Sequence, residues 1–285
     1  MVVIHEPERS AVPWRTTGAV EIRSSADGAP HLLGSGHQVT GSLLLTAGHV
    51  VHREAGARQR VRFLDGRTDI PYDAELLWHS AGVCPLHEGR CPDAERAPTR
   101  GLDLALLRLP PTGGSDTPAA VARRGSVRWG RFVTGEPHPV TVTGVPGGRR
   151  RAGPHGQHGL PGTVSPATGY GDAQYELKPG GQGPDGAPPD TVPLFPLETW
   201  HGVAGAAVFC EGLLIGCVQR RAREGGTLYV LPAARLLQHG CLARLLAEDT
   251  QTDPVAEAVE LRPYLTGPVP TPRTPAALLD AEAAA

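Results

Sequence analysis

Between Ala19 and Leu231 the chain is cut into short apolar runs, with turn residues at almost every break. The runs are Ala19–Arg23, Gln38–Thr46, Arg60–Leu64, Ala74–Trp78, Leu104–Leu109, Val140–Val145, Tyr175–Leu177, Ala206–Cys210, Leu213–Gln219 and Thr227–Leu231. They are rich in Val, Leu and Ile and bounded by Gly, Pro or Asp, which is how strands read in a sequence. Their even spacing predicts an all-β sandwich or barrel, not alternating β–α units. The chain holds 37 glycines and 29 prolines in 285 residues. Such residues break helix interiors, so a helical bundle is excluded, and most of them have work to do as turns. Without Gly at every third position the chain is not collagen-like.

One stretch differs. From Pro232 to Glu248, leucines 236, 237, 242, 245 and 246 recur at roughly helical spacing. This predicts one helix that closes the domain, weakened at Gly240. Four segments read as loops: His79–Arg100, Thr112–Thr117, Gly147–Gly162 and Pro179–Pro189. Beyond Asp249 the composition turns to Pro and Ala and reads as a linker.

The net charge is −2, which speaks against a nucleic-acid binder or a basic membrane-surface protein. No apolar run is long enough to span a bilayer. Five cysteines, an odd number, and an N-terminus where His5, Glu6 and Glu8 interrupt any apolar region point to a reducing compartment. The expectation is a cytoplasmic protein.

Three segments carry chemistry. Leu44-Leu45-Thr46-Ala47-Gly48-His49-Val50 places a histidine just after an apolar strand. Gly101-Leu102-Asp103-Leu104-Ala105-Leu106-Leu107 opens a strand with an aspartate. Trp200-His201-Gly202-Val203-Ala204-Gly205 leads through a small-residue turn into a third strand. Each has an ordinary structural explanation when taken alone: a loop histidine, a strand-opening turn residue, tight strand packing. Their order discriminates. His, then Asp, then Gly-x-x-Gly resembles the chymotrypsin-like serine peptidases, whose triad runs His–Asp–Ser along the chain. Thr46-Ala47-Gly48-His49 and Asp103-Leu104-Ala105-Leu106-Leu107 carry the resemblance, which covers roughly Pro13 to Leu246.

The resemblance implies a double β-barrel with a C-terminal helix. The peptidase domain would span residues 1–248, with barrels over about 13–110 and 120–231 and the helix over about 232–248. Residues 249–285 would be a tail. It implies His49 as general base, Asp103 as the residue that fixes its tautomer, and the N–H groups of Gly202 and Ala204 as the oxyanion hole. It implies substrate-binding roles for Glu198, at the floor of the specificity pocket, and Gln219. A carboxylate at that floor would favour Arg or Lys before the scissile bond. The family needs no metal or organic cofactor.

The chain departs from the family where the nucleophilic serine is expected, since Ala204 stands there. Two explanations follow. Either the alanine is an introduced replacement that traps an inactive form, which intact His49 and Asp103 favour, or the chain is a natural pseudopeptidase that binds a peptide without cutting it. A second departure is Val203, where secreted members place the aspartate that pairs with a newly cut N-terminus. Control by conformation or by a partner is expected instead. Arg149, Arg150 and Arg151 would be a self-cleavage site. Cys84, Cys91, His79 and His87 offer metal-type donors on one loop, but without a standard zinc pattern the preferred reading is a mobile loop with free thiols and no metal. The tail resembles the linker of bacterial proteins in which a trypsin-like domain precedes a STAND-type nucleotide-binding signalling module. The expectation is thus a trypsin-like endopeptidase that acts after basic residues in a specific protein substrate. It would serve as the effector module of a bacterial signalling or defence system.

Overall fold

The computed structural model describes residues 17–23, 30–51, 58–63, 72–82, 84–87, 102–110, 126–144, 158–166, 174–180, 202–221 and 226–261. Six strands form a first closed barrel: β1 (Thr17–Arg23), β2 (Pro30–Gln38), β3 (Leu43–Ala47), β4 (Arg58–Phe63), β5 (Tyr72–His79) and β6 (Leu104–Arg108). Around it the order is β1-β2-β3-β6-β5-β4. After a short strand β7 (Gly130–Phe132), six more close a second barrel. They are β8 (His138–Gly144), β9 (His158–Ser165), β10 (Tyr175–Pro179), β11 (Ala207–Cys210), β12 (Leu213–Arg221) and β13 (Leu228–Pro232). Its order is β10-β13-β12-β11-β8-β9, antiparallel throughout. The all-β double barrel read from the sequence is therefore the fold.

Why the runs are so uniformly apolar follows from the core. Successive strand residues point to opposite faces, and here both faces of the central strands are buried. Leu44, Ala105 and Leu107 join Val61, Ala74 and Leu76 in one cluster, while Leu43, Leu45, Leu104 and Leu106 join a second. The same split divides β11: Val208 and Cys210 belong to the cluster of the second barrel, Ala207 and Phe209 to the shared one. The shared cluster also takes in Leu236, Leu242, Leu245 and Leu246. A seam between the barrels, covered by the C-terminal helices, thus backs the strands that carry the functional segments.

The structure corrects four readings. The run from Gln38 to Thr46 is not one strand: Gln38 ends β2, and Val39 and Thr40 donate their N–H groups to Leu43 O across a turn into β3. β2 itself escaped notice because Gly34, Ser35 and Gly36 interrupt its apolar pattern. The segment to Gly162, read as a loop, becomes strand β9 from His158 onward, paired along its whole length with β8. The single helix expected over 232–248 is two, α1 (Ala233–Leu237) and α2 (Gly240–Thr250). His239 between them is extended at φ −79° and ψ 103°. Finally, the chain does not become a linker at residue 249. Strand β14 (Val259–Leu261) lies parallel to β7, with Leu261 buried and Arg131 Nη2 2.7 Å from Glu260 Oε1. A buried leucine and a paired edge hold these residues to the domain. Of the expected loops, residues 112–117, 147–157 and 181–189 lie outside the described residues. Among the described residues no helix is long and apolar enough to cross a membrane.

Candidate active site

His49 is delivered by the end of β3. That strand is buried at all five positions and runs straight into a single 3-10 turn, Gly48–Val50. Gly48 and Val50 are buried, whereas the His49 side chain is half exposed. Asp103 stands just before β6, the strand next to β3, in the register that pairs Ala47 with Leu104. Adjacent strand ends thus bring the two side chains together across 54 residues of sequence. His49 Nδ1 lies 2.5 Å from Asp103 Oδ2.

Burial alone would raise the Asp103 carboxyl, but the hydrogen bond and charge of His49 outweigh it and hold the group below the ordinary carboxylate value of 3.8. The pairing also fixes the histidine. With Nδ1–H donated to the carboxylate, the lone pair at neutral pH is on Nε2.

Two features of the turn are dictated by this approach. A Cβ on Gly48 would sit 2.6 Å from Asp103 Oδ1 and 2.9 Å from His79 Nε2, so only glycine admits the carboxylate. His79, the last residue of β5, is buried and tied at both ring nitrogens. Nδ1 accepts from Ala81 N–H at 2.9 Å, so Nε2–H donates to Gly48 O at 3.0 Å. Ser80 brackets the aspartate from the other side: its Oγ donates to Leu102 O at 2.7 Å and accepts from Leu104 N–H at 3.1 Å.

Residues 202–205 form the turn into β11. Gly202 and Gly205 have φ of +89° and +86°, a region that L side chains rarely adopt. Gly205 has no alternative on space either, because a Cβ there would lie 1.9 Å from Ser35 O. Ser35 of β2 clamps the whole turn to the first barrel. Its N–H donates to Ala204 O at 2.7 Å, its Oγ to Gly202 O at 2.6 Å, and its carbonyl accepts from Thr46 Oγ1 at 2.6 Å. Ala204 packs against the cluster that contains Val50, the neighbour of His49. The Gly205 and Ala206 N–H groups are bonded to Val218 O and Val203 O. Those of Gly202 and Ala204 take no backbone acceptor among the described residues.

Gln219, expected to contact substrate, is buried. Its Oε1 accepts from Gln174 Nε2 at 2.8 Å and its Nε2 donates to Asp103 O at 3.3 Å, so it ties β12 to the aspartate backbone. Glu198, Trp200 and Arg149–Arg151 lie outside the described residues. So does Cys91, and His79 is committed to backbone partners. His79 is therefore not available as a metal donor. Sequence reasoning missed Ser35, Ser80 and Gln174 and gave His79 a metal-type role in place of its backbone one. The only signal for Ser35 was the small-residue triplet 34–36, and Ser80 and Gln174 carried none.

A family model described as a trypsin-like peptidase domain matches residues 34–216, more than half of the chain. Among solved structures, the thermostable serine protease AL20 from an extremophilic microorganism aligns with a TM-score of 0.50 at 15% identity, covering 84% of this chain and 97% of that one. The scabies mite inactivated protease paralogue S-I1 aligns with a TM-score of 0.50 at 16% identity, covering 79% and 92%. The active form of the Rv3671c protease from M. tuberculosis gives a TM-score of 0.47 at 16% identity and 80% of each chain. No curated protein matches by sequence. At these identities the first two similarities speak to the fold alone.

Proposed function

Because this chain belongs to the trypsin-like peptidase family, we propose that its site is the acyl-transfer centre of a serine endopeptidase, with Ala204 standing at the nucleophile position. The observation that carries this reading is the His49–Asp103 pair at 2.5 Å beside a turn held by two positive-φ glycines. With serine at 204, His49 Nε2 would take the hydroxyl proton as Oγ attacks the scissile carbonyl. The electron pair of the C=O bond would move to oxygen and be received by the Gly202 and 204 N–H groups. His49 would then return the proton to the leaving amine, and water would repeat the cycle on the acyl-enzyme. One such donor is worth about 3 kcal/mol in the transition state.

As the chain stands, the methyl of Ala204 offers no lone pair. Peptide would bind and remain uncut, since loss of the nucleophile removes roughly 10⁶ in rate. The dyad, the clamp at Ser35 and both turn glycines stand together, so we read the alanine as a single replacement in an otherwise intact centre.

The finer parts of the proposal rest on sequence. Glu198 would select a basic residue before the scissile bond. The substrate would be a specific protein, and the resemblance of the tail to linkers of bacterial proteins with a STAND-type nucleotide-binding module supports a cytoplasmic effector role in bacterial signalling or defence.

The test is Ala204→Ser, assayed on peptides with Arg or Ala before the scissile bond and by labelling with a serine-directed phosphonate. Labelling at position 204 that is lost in the further variant His49→Ala is the expected result. No labelling and no cleavage, with unchanged thermal unfolding and after addition of candidate activators, would overturn the proposal in favour of a peptide-binding module. An Arg preference that survives Glu198→Ala would remove the pocket assignment alone.

A further inference from the structure

Away from the cleft, three side chains from two distant parts of the chain converge on one point. Cys84 and His87 lie in the turn that follows β5, and Cys241 lies in the first turn of α2. Cys84 Sγ is 3.3 Å from His87 Nδ1, and Cys241 Sγ is 3.5 Å from the same nitrogen. All three donor atoms lie within 4.8 Å of one another. Both cysteines are buried in the seam between the barrels, and His87 is exposed at its rim.

A single hydrogen bond at His87 Nδ1 does not serve both sulfurs. An imidazole nitrogen carries either one lone pair or one N–H, so it completes one directional bond, whereas two sulfurs approach this one. A metal ion answers both approaches at once. Tetrahedral zinc with Zn–S of about 2.3 Å and Zn–N of about 2.0 Å has S···N edges of about 3.5 Å. The two observed separations match that edge. Two thiolates and an imidazole are also the donor set that selects a soft or borderline cation over magnesium or calcium.

We propose that Cys84, His87 and Cys241 bind a zinc ion, with the fourth coordination position facing solvent beside His87. The remaining described cysteines are a contrast. Burial pushes the Cys210 and Cys217 thiols up to about 12, so they stay protonated and serve as packing. The ion joins the β5–β6 connection to the C-terminal helix. The same connection begins with Ser80, which brackets Asp103 through Leu102 and Leu104. Zinc would therefore act as a structural clip on the segment that positions the aspartate, taking no part in proton transfer. The inference is independent of whether the chain cleaves peptides.

The experiment uses the full chain, dialysed against metal-free buffer and analysed for bound metal by mass spectrometry. About one zinc per chain is expected. Cobalt exchange should give thiolate-to-metal charge transfer and the intense visible bands of a tetrahedral site. Cys84→Ser and Cys241→Ser should each weaken zinc binding by more than the roughly tenfold that loss of an outer-shell partner costs, and Cys210→Ser should leave it intact. Should the ligand variants fail to fold, the unsubstituted chain still decides. A chelator should lower its melting temperature, and added zinc should restore it. A chain that takes up no zinc and melts identically with and without chelator overturns the site. So does a cobalt spectrum that persists in the doubly substituted Cys84→Ser, Cys241→Ser protein.

Discussion

The two barrels contribute to the cleft in different currencies. The first supplies side chains: His49 and Asp103, with His79 and Ser80 holding the backbone around them. The second supplies backbone, a turn shaped by Gly202 and Gly205 whose one expected side-chain contribution is missing at Ala204. Ser35 links the two by reaching from β2 to the carbonyls of Gly202 and Ala204. On the proposed reading, alanine at 204 deletes the attacking atom and leaves the rest of the machinery standing. Chemistry and architecture can therefore be broken separately.

The largest effects should come from the side-chain half. In an Ala204→Ser background, His49→Ala should cut kcat by roughly 10⁶, and Asp103→Asn by roughly 10⁴ because the amide stabilises the wrong tautomer. Single-turnover acylation by a chromogenic ester reads both. If Asp103→Asn cost less than tenfold, His49 would not depend on Asp103 as the geometry requires.

The backbone half should break through stability. Gly205→Ala combines a φ of +86° with a Cβ 1.9 Å from Ser35 O, and should cost more than about 3 kcal/mol or prevent folding. Gly180 is the control. It has nearly the same φ, +84°, but a Cβ there meets nothing within 4 Å, so Gly180→Ala should cost only the conformational penalty of about 1–2 kcal/mol. Urea denaturation compares them, and equal losses would show that strain, not the clash with β2, demands glycine at 205.

How much of this was legible beforehand follows the same division. Local pattern revealed the apolar strands, and the motifs around His49 and Asp103 singled out two residues that the structure brings together. The strands that were missed, β2, β7, β9 and β14, are polar, Gly-rich or three residues long, and owe their state to pairing with distant partners. Gln219 was singled out, but its burial against Gln174 and the Asp103 carbonyl is a tertiary fact. Cys241 joined Cys84 and His87 only through the packing of α2, 154 residues from His87. Periodicity reports which face is buried. It is silent on which buried faces meet.

The smallest effect is a change of slope with pH. In the parent chain the hydrogen bond and charge of His49 outweigh burial and hold the Asp103 carboxyl below 3.8. The folded state then binds fewer protons at this group than the unfolded state. Its contribution to stability is present above the unfolded value and is lost as pH falls through the folded one. In His49→Ala the side-chain hydrogen bond and charge are gone, while burial, the backbone N–H of residue 49 and the charge of His79 remain, so the carboxyl should titrate higher than in the parent. The gap to the unfolded value narrows, and with it the stability that this group loses as pH falls. Below about pH 5 histidines are largely protonated in the unfolded chain, so the difference between the two profiles there isolates Asp103. Urea midpoints measured from about pH 5 downward should fall more steeply in the parent than in His49→Ala. Introducing Asp103→Asn into both chains should make the two slopes equal. Parallel profiles with aspartate present would mean that His49 exerts no net hold on the carboxylate, and the first barrel would lose its claim to a preorganised dyad.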